Sequence, residues 1–170
     1  MRGALLVVAF LGSAAPVCAA TVVALGASNT EGKGRGAHAD GVPKSQAYPA
    51  QLQAMLAARG CRATVLNAGV AGDTTAGMLR RLPGALGKDA KVLILQPGGN
   101  DARRGASDTE ANIAAIKSYA GARGVTVVML DNLRVARDHR LPDGMHFSAE
   151  GHKILAQSIL SDVAAAACGR

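Results

Sequence analysis

The chain has 170 residues, of which 49% are hydrophobic, 18% charged and only 2% aromatic, and its formal net charge is +7. That length supports one domain with a single sizeable core. The charge is spread without a block of five or six like residues and stacking side chains are nearly absent, so nucleic-acid binding is disfavoured and a basic surface suited to anionic envelopes is expected.

The first twenty residues read apart from the rest. Arg2 precedes an apolar stretch, Ala4–Leu11, and small residues ending in Cys18-Ala19-Ala20 follow. A positive start, a short apolar core and small residues before a cut form the pattern of a secretory signal. Cleavage after Ala20 leaves a domain of residues 21–170 in the periplasm or outside the cell; it removes one of 19 basic residues, leaving 18 against 12 acids. A membrane span needs roughly 20 apolar residues, and this run is shorter and broken by Gly12 and Pro16. No stable membrane anchor is expected, and Val17 before Cys18 argues against a lipoprotein.

Four short, β-branched apolar runs follow in the order Thr21–Leu25, Ala63–Leu66, Lys91–Gln96 and Val125–Leu130. Their near-continuous hydrophobicity is that of strands covered on both faces. Helical patterns alternate with them. Gln46–Arg59 carries Leu52, Met55 and Leu56 on one side and stops at Gly60; Thr75–Leu82 should end or kink at Pro83. Ser107-Asp-Thr-Glu110 has the form of a capping box that opens a helix to about Gly121. Ser148 is placed to cap a last helix, where Ile154, Leu155, Ile159 and Val163 recur at helical spacing. Repeated strand–helix alternation implies a parallel sheet with helices on both faces. Ligands of such sheets bind beyond the carboxyl ends of the strands. The loops Gly26–Gly36, Asn67–Thr75 and Pro97–Arg104 should therefore converge. Asp131–Phe147 shows no clear element, and structureless loops of that length are uncommon unless functional.

Of three cysteines, Cys18 leaves with the signal. Cys61 and Cys168 could pair in an oxidising compartment, or could be two unrelated small hydrophobes. Neither has metal-ligand company: there is no C-x-x-C and no His at ligand spacing. No metal or cofactor is implied, and the sequence does not indicate an oligomeric state.

The converging loops read GASN (26–29), NAGVAGD (67–73) and GGND (98–101), and the long late loop carries DGMH (143–146). Singly, each is commonplace. Together, in this order and each after its own element, they resemble the SGNH hydrolases, the GDSL-type esterases and lipases, over nearly the whole domain. Through VLNAGVAGDTTAGMLRRL and ILQPGGNDARRG the similarity leans to small bacterial enzymes described as arylesterase, acyl-thioesterase and lysophospholipase. The resemblance implies a flavodoxin-like three-layer α/β/α sandwich with a mostly parallel sheet of four to five strands. It implies Ser28 as nucleophile, His146 as base and Asp143 as the carboxylate orienting it. The Ser28 and Gly72 backbone N–H groups and the Asn100 amide would form the oxyanion hole.

Those residue types suit the chemistry. A serine hydroxyl needs a base within hydrogen-bond reach, imidazole exchanges a proton near neutrality, and a carboxylate fixes its tautomer. Glycine at 72 would permit close backbone approach. The asparagine amide is a neutral donor where an aspartate would repel the forming charge. Two departures from the family pattern matter. Gly-Asp-Ser followed by Leu or Ile is here Gly-Ala-Ser-Asn, so Ala27 and Asn29 change the bonding around the nucleophile. Only about a dozen residues separate Leu130 from Asp143, where the family usually has a further helix and strand. This implies a shallower, open site with loose acyl-chain selectivity and a less firmly held Asp143/His146 loop.

The competing reading is a non-catalytic flavodoxin-like phosphate- or ligand-binding module built on GASNTEGKGRG. A Walker A motif fails there: five residues separate Gly26 from Gly32, and Gly34 stands where the hydroxyl residue belongs. A looser nest beside Lys33 and Arg35 remains open, but leaves Asn100, Asp143 and His146 without a role. Asp73 and Asp101 read as structural carboxylates, Pro97 as a stiffener of the Asn100 loop, and His38, His139 and His152 as solvated. With one Phe, two Tyr and no Trp after residue 20, sugar-stacking platforms are scarce, which favours small acyl, aryl or thioester substrates.

Overall fold

The computed structural model describes residues 19–169; the signal reading falls, but for its last two positions, outside the described residues. The four apolar runs become β1 (Ala20–Gly26), β2 (Ala63–Gly69), β3 (Ala90–Leu95) and β4 (Thr126–Met129). They form one parallel sheet in the order β2-β1-β3-β4. Of the four or five strands expected, four are present among the described residues. The chain moves from β1 to one side and returns to the other, so the crevice at the carboxyl ends of β1 and β3 is the switch point where ligands bind in such sheets.

Alternation within the continuous apolar runs decides the two cores. Val22, Ala24, Val92 and Ile94 face α2 (Tyr48–Ala58) and α6 (Ala149–Cys168), where Leu52, Leu56, Leu155 and Ile159 meet them. Val23, Leu25, Leu93 and Leu95 face α3 (Thr75–Ala85) and α5 (Thr109–Gly121), packing on Met78, Leu82, Ile113 and Ile116. Each of the Val, Leu, Ile and Met side chains contributes about 1.5–3 kcal/mol by leaving water. Coverage on both faces holds for β1 and β3 but not for the edge strand β2, where Leu66 is 46% exposed.

Two short helices complete the frame, α1 (Ser28–Glu31) after β1 and α4 (Asn100–Arg103) after β3. Gly69 is required by α1, because a Cβ there would sit 2.2 Å from the Glu31 backbone nitrogen.

Several local expectations change. Pro83 does not end α3, which runs on to Ala85, although it has no N–H to give the carbonyl four residues back. The capping box does not form, since Asp108 occupies the N-cap of α5 and makes no side-chain cap bond. Ser148 does cap α6, its Oγ accepting the Gly151 N–H at 3.3 Å. The long segment before α6 contains one 3-10 turn, Leu133–Ala136, and an isolated antiparallel bridge between Arg140 and Phe147.

Cys61 and Cys168 form a disulfide that ties the end of α6 to the segment entering β2, across 107 residues. Chain-entropy reasoning assigns ~4.7 kcal/mol to a loop of about this size. Guanidinium unfolding of the Cys61→Ser/Cys168→Ser double variant should give an unfolding free energy lower by up to that amount. An unchanged midpoint would show that the staple does not stabilise the fold.

Candidate active site

β1 delivers its last buried residues to Gly26, and the chain turns at once into α1, whose first residue is Ser28. The β1–α1 turn thus holds the Ser28 hydroxyl at the sheet's carboxyl edge. From the far end of the sequence, His146 Nε2 lies 2.9 Å from Ser28 Oγ, and its Nδ1 lies 2.6 Å from Asp143 Oδ2. The other Asp143 oxygen accepts the backbone N–H groups of Met145 and His146, both at 2.9 Å. Burial alone would raise the Asp143 carboxyl; those two N–H bonds and the His146 ring outweigh it and hold the group below the usual carboxylate range. An ionised Asp143 accepts the Nδ1 proton, which leaves Nε2 free to accept from the serine.

The loop carrying this pair is laced by hydrogen bonds of its own. Leu141 N–H donates to the His146 carbonyl at 2.7 Å, and Ser148 N–H to the His139 carbonyl at 2.9 Å. The Arg140 guanidinium donates to the Met145 carbonyl and lies 4.7 Å from the Phe147 ring centroid.

Asn100 opens α4 directly after the β3 loop. One Nδ2 proton goes to the Asp73 carbonyl at 2.7 Å, and Oδ1 accepts from the Arg103 guanidinium one helical turn on. Both ends of the amide are fixed, and its second Nδ2 proton has no partner among the described residues. The same holds for the backbone N–H groups of Ser28 and Gly72. Glycine stands at 72 for its conformation rather than for space: φ is +78°, while a Cβ would meet nothing nearer than Arg104 Nη2 at 3.9 Å. Arg104 steadies this turn by donating to the Gly72 carbonyl at 3.0 Å.

Asp73 and Asp101 brace these loops. Asp73 pairs with Arg81 at 2.8 Å, and Arg81 also donates to the Gly26 carbonyl at 3.0 Å. Asp101, buried, accepts both the backbone N–H and the hydroxyl of Thr75. A buried chain that sequence reading missed runs from Tyr48 through the Thr30 hydroxyl to the Gln96 amide at 3.2 Å, and from Gln96 Nε2 to the Pro97 carbonyl at 2.8 Å. It links α1 to the loop that presents Asn100. Burial pushes the Tyr48 phenol up, so it stays neutral as a partner. The departure at position 29 has a cost: Asn29 Oδ1 is buried without a hydrogen-bond partner among the described residues.

Two clefts meet at the serine. One, of about 190 Å³, is lined by Ser28, Gly72, Asn100 and His146, with Arg35 and Arg103 on its wall. The other, of about 140 Å³, shares Ser28, Asn100, Arg103 and Met145 and extends past Ala27, Leu133 and Arg140. A carbonyl carbon beside Ser28 Oγ would find a base on one side and unpaired N–H donors on another.

His38 and His139 are exposed as expected, but His152 is not solvated. It is 1% exposed, edge-on to Phe147, with Nδ1 accepting the Tyr48 N–H at 3.3 Å. Its place on the stripe of Leu155, Ile159 and Val163 is the signal that betrays it.

Comparison with known proteins yields three findings. A family model described as the GDSL-like Lipase/Acylhydrolase family matches residues 24–114. Esterase TesA of Pseudomonas aeruginosa is 39% identical over 93 residues, 53% of this chain and 46% of that protein, so the match spans about half of the relative's length. Among solved structures, TesA superposes with a TM-score of 0.72 at 24% identity, covering 84% of this chain and 97% of that one. AlinE4, an SGNH-hydrolase family esterase, gives 0.57 at 28%, covering 87% and 74%.

Burial, and next the charge of His146, lower the His152 pKa from 6.5 to about 4. The folded protein keeps this ring neutral, whereas the unfolded chain takes up a proton already near pH 6.5. Its contribution to stability is therefore complete above that pH and is lost as pH falls to about 4, by roughly 3 kcal/mol. Urea unfolding at pH 7 and pH 4 should show this loss in the wild type and a smaller one in His152→Gln. Equal losses would contradict it.

Proposed function

The chain belongs to the GDSL-like lipase/acylhydrolase family, and from that premise we propose that it is a serine esterase. It hydrolyses carboxylic ester or thioester bonds of small acyl or aryl substrates through an acyl-enzyme on Ser28. The single observation that carries this reading is the unbroken Ser28–His146–Asp143 hydrogen-bond chain, at 2.9 and 2.6 Å. In the family match, residues 24–114 contain Ser28, Gly72 and Asn100 but stop short of Asp143 and His146. The geometry of the late loop is therefore a separate line of support.

The reaction follows from these contacts. Ser28 Oγ attacks the carbonyl carbon as its proton moves to His146 Nε2. The carbonyl oxygen takes up negative charge facing the Ser28 and Gly72 N–H groups and the Asn100 amide. Arg103 holds that amide in orientation. His146 returns the proton to the departing alcohol or thiol as the bond to it breaks. A water then gives its proton to His146 and attacks the acyl carbon, releasing the acid and restoring Ser28. Asp143 stays ionised throughout and stabilises the protonated ring. A binding module without catalysis would have no use for this chain of bonds.

We further propose that residues 1–20 are a secretory signal and that the domain acts in the periplasm or outside the cell. The Arg2–Ala20 pattern and the Cys61–Cys168 disulfide, a bond that persists in oxidising compartments, support this.

Rapid mixing with p-nitrophenyl butyrate should give an acyl burst in the wild type and none in Ser28→Ala, with the circular dichroism spectrum preserved. Asn100→Ala should lower kcat by ~10²–10³ as one oxyanion donor is lost. A Ser28→Ala variant that retains turnover would overturn the assignment.

A further inference from the structure

The two clefts at Ser28 are not equivalent, and their linings divide the substrate between them. Only the larger is lined by His146 and Gly72. If Ser28 is the nucleophile, as proposed above, the leaving group must take its proton from His146 Nε2. The oxyanion must face Gly72. Both therefore occupy that side. The fourth substituent of the tetrahedral carbon, the acyl chain, is left with the smaller cleft.

Like the other cleft, which carries Arg35 and Arg103, that cleft holds two arginines. Its apolar part is short, contributed by Ala27, Leu133 and Met145, and its only charged side chains are Arg103 and Arg140. No aspartate or glutamate lines it. Neither arginine has a carboxylate partner among the described residues. Both are held in place, Arg103 by its bond to Asn100 Oδ1 and Arg140 by the Met145 carbonyl and the Phe147 ring face. A guanidinium has five N–H donors in a fixed fork that matches a carboxylate, so each retains donors after these bonds. Asp143 is already committed to His146 and two backbone N–H groups.

Volume adds a limit. A cleft of about 140 Å³ seats a short chain, and a longer tail would run out of it into solvent. Both arginines are exposed, so a neutral chain in the cleft leaves them their water and gains nothing from them. A chain ending in an anion would replace that water with charge-assisted hydrogen bonds.

We propose that the cleft under Arg103 and Arg140 is an acyl-binding site selective for short acyl groups ending in a carboxylate, so that the preferred substrates are half-esters or half-thioesters of dicarboxylic acids. In place of loose acyl selectivity, terminal charge discriminates. Arg140 is the specificity-determining residue, because Arg103 also orients Asn100 and lines both clefts.

The test compares mono-p-nitrophenyl adipate with p-nitrophenyl hexanoate, equal in chain length and leaving group and different in terminal charge. Wild-type kcat/KM should favour the adipate by roughly five- to tenfold at low salt. The preference should shrink in strong salt as the Debye length falls to about 3 Å at 1 M. Arg140→Gln should bring the ratio of the two esters close to one, and Arg140→Lys should keep part of it. A wild-type ratio of one or below, with hexanoate still hydrolysed, overturns the inference and leaves the esterase reading standing. An equal or larger preference for an anionic leaving group, read as 4-acetoxybenzoate against phenyl acetate, overturns the placement of charge on the acyl side. Hydrolysis of neither ester, with no burst, removes the esterase reading and this inference with it.

Discussion

The hydrogen bond between Ser28 and His146 joins groups 118 residues apart in sequence, and most of the architecture can be read as the means of making it. Neither group is useful alone. The serine is a weak nucleophile without a base, and the imidazole needs Asp143 to fix which nitrogen carries the proton. The bond forms because β1 delivers Ser28 at the sheet's carboxyl edge while the start of α6 fixes the Asp143–His146 turn from the other side. α6 is anchored along its length by Leu155, Ile159 and Val163 in the core, and at its end by the disulfide. The late loop therefore inherits its position from a helix that cannot slide.

The remaining loops are coupled to this contact through backbone carbonyls. Asn100 reads the Asp73 carbonyl, Arg104 the Gly72 carbonyl, and Arg81 the Gly26 carbonyl beside the nucleophile turn. The first two bonds tie the loop after β3 to the loop after β2, and the third ties α3 to the end of β1. Beneath them, the Tyr48–Thr30–Gln96 chain keeps buried polar groups paired and fixes α1 against the Asn100 loop. Such fully paired networks rigidify a site. Asn29 is the exception, with one buried oxygen next to Ser28 in sequence left without a partner among the described residues.

Much of this was legible in the sequence. Continuous β-branched runs marked all four strands, though β2 extends beyond Leu66 through Asn67, Ala68 and Gly69. Those residues have poor strand propensity and pair only because Ala24, Leu25 and Gly26 of β1 lie alongside. The candidate site residues are legible because spacing and residue type are carried by short local motifs. Contacts between distant side chains were not. Nothing in the sequence says that Arg140 lies over Phe147 within reach of the serine cleft, or that Thr30 meets Gln96. His152 is polar, but its register on the apolar face of α6 carries it into the core. The capping box failed because Asp108, next to Ser107, took the cap position.

Activation of Ser28 by His146 is tested most directly by covalent trapping. A p-nitrophenyl alkylphosphonate should add one phosphonyl group per chain, recovered by mass spectrometry on the peptide that contains Ser28. In His146→Ala the labelling rate should collapse. No adduct under conditions that leave the protein folded, or an adduct on another residue, would contradict the account.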